Sequence, residues 1–186
     1  DRIVSGELSW FGFSALVDFP ELKELRLQGH GFTQEQLDAI LEIEREIILD
    51  LRGQYQEFCA AGGEVSCSPY YHPILPLLVN TAHAQRNLPG VPDPGFAWPE
   101  DALEQLKLGR ARVEAWVGAE VVGVWPSEGS VSPAMIPLVA EAGIRWLATD
   151  DEILSCSLGE TGDAPQHLTP EQRYRPYVVG GEANPV

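Results

Sequence analysis

The chain has 186 residues, 44 % of them hydrophobic, enough for a folded domain with a core of its own. Its 28 acidic and 12 basic residues leave a formal charge of −16. That balance argues against nucleic acid and against an anionic membrane surface as partners, since both are bound through basic patches, and it suits a neutral ligand such as a sugar polymer.

Cys59, Cys67 and Cys156 make no C-x-x-C pair and no even disulfide framework, so a reducing, cytoplasmic compartment is expected. His30, His72, His83 and His167 form neither H-x-x-x-H nor H-E-x-x-H, and no metal site or other cofactor is expected. No apolar run reaches membrane-spanning length.

Residues 1–30 carry no clean period. Trp10-Phe11-Gly12-Phe13 and Phe19-Pro20 predict packed irregular structure ahead of a short helix from Glu21 to Leu27. Thr33-Gln34-Glu35-Gln36 has the form of a capping box, in which the Thr33 hydroxyl and the Gln36 side chain each satisfy a free backbone donor. Leu37, Ile40, Leu41, Ile47, Ile48, Leu51, Tyr55 and Phe58 follow at helical spacing, with Glu44 as the polar exception. Gly62-Gly63 supplies a left-handed cap, which predicts one helix of roughly thirty residues.

Glu64 to Ser68 reads as a short buried strand, ended by Pro69 because proline cannot donate to a sheet ladder. Ile74 to Val79 reads as a short helix. Residues 88–99, with Pro89, Pro92, Pro94 and Pro99, read as an extended loop. Pro99, Glu100 and Asp101 then open a helix that runs through Leu103, Leu106, Val113 and Trp116 to Gly118, the proline suiting the first turn and the carboxylates the helix dipole.

Val121–Trp125, the loop with Glu128, Pro133–Ala142 capped by Gly143, and Ile144–Thr149 spell strand, helix, strand. Short loops make this a βαβ unit, parallel and right-handed. Tyr174 to Val179 is compatible with one more strand in a polar, turn-rich tail that starts at Gly159. Glu128 therefore sits where a strand ends and a helix begins, the edge that lines the binding crevice of parallel α/β folds. A carboxylate there beside Trp125 points to carbohydrate chemistry. The expected fold class is α/β, part of a parallel barrel. A closed barrel of that kind needs roughly 250 residues, so the whole chain, 1–186, is expected to be a single segment of a larger catalytic domain.

Two stretches resemble a known family. Gly63-Glu64-Val65-Ser66-Cys67-Ser68-Pro69-Tyr70-Tyr71-His72-Pro73-Ile74-Leu75-Pro76-Leu77-Leu78 resembles the second conserved region of glycoside hydrolase family 57. Gly123-Val124-Trp125-Pro126-Ser127-Glu128-Gly129-Ser130-Val131-Ser132 resembles the region carrying that family's nucleophile. Arg145-Trp146-Leu147-Ala148-Thr149-Asp150-Asp151-Glu152 and Tyr174-Arg175-Pro176-Tyr177 are similar to stretches that follow in amylopullulanase-like members, and the long helix before Gly62 fits as well.

The resemblance implies a (β/α)7 barrel, an incomplete relative of the eight-fold one. It implies retaining hydrolysis or transglycosylation of α-glucans such as starch, pullulan or glycogen-like polymers, with maltooligosaccharides as related ligands and no cofactor. Glu128 matches the nucleophile. The acid/base aspartate of the family, in a Leu-Asp-Gly-Glu motif, and its early His-Gln-Pro motif both find no match, so truncation at both ends is expected and the aspartate is expected downstream of Val186.

A retaining mechanism needs two carboxyl groups roughly 5–5.5 Å apart, one ionised and one protonated. Glu128 suits the ionised one. Glu64 fits either a ligand to sugar hydroxyls or a partly buried structural carboxylate. His72 is read as a donor to a sugar hydroxyl, and Trp125 as either a stacking face for a sugar ring or core packing. Asp150 and Asp151, again at a strand end, are read as lining the cleft, against helix capping. Tyr70, Tyr71 and Trp146 are read as core or wall. Two further readings stay open. Thr149-Asp150-Asp151 loosely resembles the first metal motif of barrel-type carbohydrate deacetylases, although the H-x-x-x-H pair those enzymes need is absent. A non-catalytic glucan-binding barrel is the other.

Overall fold

The computed structural model describes residues 1–158 and 167–179, and its contacts divide the chain into two compact units, Asp1–Glu57 and Phe58–Val186. Among the described residues no helix is long and apolar enough to cross a membrane.

The first unit is helical. Helices α1 (Arg2–Trp10), α2 (Phe13–Asp18) and α3 (Pro20–Gln28) are followed by α4 (Gln34–Ala60), whose last turn belongs to the second unit. Val4 and Leu8, Leu22 and Leu25, and Ile40 and Ile43 form the buried cluster, each pair spaced to share one helix face. Helix α1 and helix α2 replace the irregular structure expected there. Gly6 in the middle of α1 lowers its helix propensity, and the helix is only nine residues long with no side-chain cap, which hides it from a sequence reading. Its end is completed from outside: Arg26 Nη2 donates to the carbonyls of Leu8 at 2.7 Å and Phe11 at 3.0 Å.

The capping box at the start of α4 forms as expected, with Thr33 N donating to Gln36 Oε1 at 2.9 Å and Gln36 N donating to Thr33 Oγ1 at 3.3 Å. Only the first part of the apolar stripe is buried, because Ile48, Leu51, Tyr55 and Phe58 are all at least 41 % exposed. Glu44 turns toward Glu7. Partial burial and a hydrogen bond with Glu7 raise its carboxyl above the usual carboxylate value.

In the second unit, which begins with the last turn of α4, Gly62 at φ 92° turns the chain out of that helix. Helix α5 (Leu75–Val79), a 3-10 turn at Thr81–His83, and α6 (Ala84–Asn87) lead into the expected extended loop. Thr81 Oγ1 donates to Asp93 Oδ1 at 2.6 Å and Trp98 N to the Leu78 carbonyl at 2.9 Å, which ties the loop down. Helix α7 (Pro99–Val117) follows, with Ala102, Leu106 and Val117 buried. A side chain at Gly109 would strike the Ser68 carbonyl, so the absence of one lets α7 lie directly on that backbone.

Strands β1 (Gly123–Val124) and β2 (Trp146–Leu147) pair in parallel, Gly123 with Trp146 and Val124 with Leu147. Between them run a 3-10 turn at Ser127–Gly129, another at Pro133–Met135, and helix α8 (Ile136–Glu141). The helix expected over Pro133–Ala142 is thus split, since Pro137 has no N–H to bond back to the first turn. Cys67 bridges Val124 in parallel, donating from its N to the Gly123 carbonyl at 3.0 Å and accepting from Trp125 N at 2.8 Å. The strand expected at Glu64–Ser68 is therefore one bridge. β1 lies between the Cys67 segment and β2, over a core of Leu75, Leu106, Val121, Val124, Val139 and Ile144.

Helix α9 (Asp151–Leu158) and helix α10 (Pro170–Arg173) complete the described part. Tyr174–Val179 is a turn and irregular chain, not the extra strand expected. Pro176 removes a ladder donor there, and Arg175 lies over the Tyr177 ring at 4.7 Å while the Tyr177 hydroxyl donates to the Gln172 carbonyl at 2.8 Å. Of the tail expected from Gly159, residues 159–166 and 180–186 lie outside the described residues. The α/β expectation holds as one parallel βαβ unit. A closed barrel is not what the described residues form, because closure needs every strand paired on both sides and here only β1 is.

Candidate functional site

Because the Cys67 segment, β1 and β2 run parallel, the chain leaves all three at one edge of the sheet. The loops after them carry His72, Glu128 and Asp150, whereas Glu64 precedes the Cys67 segment.

After β1, Pro126 leads into the Ser127–Gly129 turn, which is closed by Gly129 N to the Pro126 carbonyl at 2.9 Å and Ser130 N to the Ser127 carbonyl at 3.1 Å. Ser127 is fully buried, whereas the Glu128 side chain is 69 % exposed. Glu128 has φ 55° and ψ 22°, and Gly129 follows at φ 63°. Left-handed backbone costs a non-glycine residue about 1–2 kcal/mol.

After Cys67, the Pro69–His72 turn is closed by His72 N to the Pro69 carbonyl at 2.9 Å, and His72 also has φ 55°. Helix α7 fixes this turn from below. The Gln105 carbonyl accepts from Tyr70 N at 3.0 Å, and Gln105 Oε1 accepts from Tyr71 N at 2.8 Å. His72 and Glu128 are the two left-handed non-glycine residues among those described, and they face each other, His72 Nδ1 lying 3.9 Å from Glu128 Oε1. Strained backbone at two facing polar residues is the pattern of a site whose geometry is held by its surroundings.

Trp125 is 47 % exposed at the end of β1, which favours an open stacking face over core packing. Glu64 is engaged by a protein donor, Trp146 Nε1, at 2.5 Å, and the Trp146 indole lies where a side chain on Gly123 would be. Asp150 caps α9, its Oδ1 accepting from Glu152 N at 2.8 Å. Asp151 Oδ2 pairs with Arg173 Nε at 3.0 Å. The structure therefore brings His72 and Glu128 together, sets Trp125 beside them along the chain, and engages Glu64, Asp150 and Asp151 with protein partners. Next to His72, Tyr71, Pro73, Leu78, Asp101, Glu104 and Gln105 line a cavity of about 380 Å³. Tyr71 is 78 % exposed while lining this cavity, so of the two readings, core or wall, it is not core.

Sequence reasoning misses two contributors. Trp146 reads there only as core or wall, although its N–H holds Glu64. Thr149 donates from Oγ1 to the Gly129 carbonyl at 2.6 Å, which joins the end of β2 to the Glu128 turn. The signal for Thr149 is its place at the end of the strand next to β1. Cys67, under the site, is a structural thiol. Burial pushes it up to about 11, where it stays protonated and unreactive at neutral pH. Among the described residues no three His, Cys, Asp or Glu side chains gather as a metal ion would need.

Comparison with family models matches residues 14–184 to the one described as Glycosyl hydrolase family 57. No curated protein and no solved structure matches the chain.

Proposed function

The chain belongs to glycosyl hydrolase family 57, and on that premise we propose that Glu128 is the nucleophile of a retaining glycoside hydrolase or transglycosylase acting on α-glucans. The observation that carries this reading is the strained placement of Glu128 at the end of β1, facing His72 at 3.9 Å. The Glu128 carboxylate attacks the anomeric carbon and forms a glycosyl-enzyme, which water or a second sugar then releases with retained configuration. His72 offers an N–H to the sugar or to the carboxylate. Trp125 and Tyr71 offer aromatic faces to the apolar sides of glucosyl rings. The mechanism also needs a protonated carboxyl group as acid/base, which by the family resemblance is an aspartate. In this reading the βαβ unit is one portion of a (β/α)7 barrel, and Glu64 serves the site by fixing Trp146. The net charge of −16 is compatible with a neutral polymer. The deacetylase reading needs a three-ligand metal site, and among the described residues none is assembled.

The test is chemical rescue in the enzyme that carries this segment. Glu128→Gly is expected to lose starch cleavage and, with azide supplied, to yield a glucosyl azide of inverted anomeric configuration. Undiminished cleavage of soluble starch by Glu128→Gln would overturn the assignment.

A further inference from the structure

Resting on the reading of Glu128 as nucleophile, we propose that Thr149 is a positioning residue for it. Glu128 and Gly129 are two consecutive left-handed residues. The bonds inside their turn, from Gly129 N and Ser130 N, both run back along the same short stretch of chain, to Pro126 and Ser127. They close the turn without fixing it to the sheet. The Thr149 hydroxyl does fix it, through a 2.6 Å bond to the Gly129 carbonyl.

The donor is well rooted. Ala148 N, one residue earlier, donates to the Val124 carbonyl at 3.2 Å, which is the last sheet bond between the two strands. One residue later, Asp150 caps α9. Thr149 is thus clamped between a sheet bond and a helix cap. Its hydroxyl completes a ring that starts at Val124, crosses to β2, and returns to the chain at Gly129, directly after the carboxylate. Thr149 is half-buried, so water competes poorly for this bond. A threonine is suited to the task, since its branched Cβ restricts χ1 and its hydroxyl keeps one direction. Without the bond, the Gly129 peptide is held only from inside the turn, by Ser130 N on the Ser127 carbonyl, and the turn can shift as a body, carrying the Glu128 carboxylate from its place opposite His72. Small displacements of a catalytic group slow the reaction far more than the strength of one hydrogen bond would suggest.

The experiment compares Thr149→Val, which keeps the shape and removes the donor, with Thr149→Ser, which keeps the donor. Both are made in the full enzyme and measured on a maltooligosaccharide beside Glu128→Gln. Thr149→Val is expected to lower kcat about ten-fold or more with KM within about two-fold, and Thr149→Ser to stay within about three-fold of the parent in both. A kcat for Thr149→Val within two-fold of the parent, or equal losses in the valine and serine variants, overturns the proposal. If those results appear while Glu128→Gln is inactive, the positioning role alone has failed. An active Glu128→Gln removes the nucleophile reading and the positioning role with it. Hydrogen exchange at the Ser130 amide, closed onto Ser127 inside the same turn, gives a second readout. It is expected to quicken in Thr149→Val and not in Thr149→Ser, and equal rates in both count against the proposal.

Discussion

Replacing Glu128 by glycine should stabilise the protein while destroying its activity. The comparison that isolates the effect is Glu128→Gly against Glu128→Ala, since both delete a side chain that is 69 % exposed and contributes little packing. Alanine keeps the φ of 55° and its steric cost, and glycine does not. The left-handed conformation costs roughly 1–2 kcal/mol for a residue with a Cβ, and glycine gives back about 0.5–1 kcal/mol through the larger freedom of its unfolded chain. The glycine variant is therefore expected to be more stable than the alanine variant by about 0.5–1 kcal/mol, or about 1–4 °C in Tm for a chain of this size. Urea unfolding followed by tryptophan fluorescence is the assay. Trp98, Trp116, Trp125 and Trp146 all lie in the unit that starts at Phe58, and Trp10 alone lies in the other, so the signal reports the unit that holds the turn. An alanine variant as stable as the glycine variant, or more so, would refute the claim that the backbone at Glu128 is held under strain.

Cys67 should resist alkylation. With its thiol pushed up to about 11, roughly one molecule in a thousand carries the thiolate at pH 8, so iodoacetamide should label Cys59 and Cys156 well before it. Peptide mapping checks this, and labelling of Cys67 at the rate of Cys59 in the native protein refutes it. The same shift makes the contribution of Cys67 to stability complete below the ordinary thiol value of 9.0 and progressively lost as pH climbs from there toward 11. Gly123→Ala should be destabilising by about 1–3 kcal/mol, the usual cost of forcing atoms into a packed site, because its new Cβ meets the Trp146 ring. Urea midpoints and the near-ultraviolet tryptophan spectrum report it, and an unchanged midpoint with an unchanged spectrum would show that the indole does not lie on β1.

What can be read from the sequence is set by local chemistry. The capping box at Thr33 and Gln36 is a four-residue signal satisfied by neighbouring atoms, and it forms as read. The βαβ unit is legible because apolar runs, prolines and glycines alternate over thirty residues without outside help, and with it the place of Glu128 at a strand end. The strands are shorter than the runs that announce them. Burial makes Val121 and Val122 apolar, but a ladder also needs a partner at each register position. Glu64 stands between two readings in the sequence because its partner Trp146 lies 82 residues away. The left-handed backbone at His72 and Glu128 is illegible for the opposite reason, since local preference favours glycine or asparagine there and tertiary bonds override it. Helix α1 likewise depends on Arg26, eighteen residues beyond Leu8.

The central place of β1 also governs how the protein can come apart. The carbonyls and amides of β1 and of its flanking residues Val122 and Trp125 are shared with Cys67 on one side and with Arg145, Trp146 and Ala148 on the other. Neither neighbour can open without loosening the strand that leads to Glu128, so the three loops belong to one cooperative unit of native-state fluctuation. A ligand that bridges any two of those loops will slow the opening of the third. Binding at this edge is thereby coupled to the kinetic lifetime of the whole sheet, and a bound ligand acts as a brake on its unfolding.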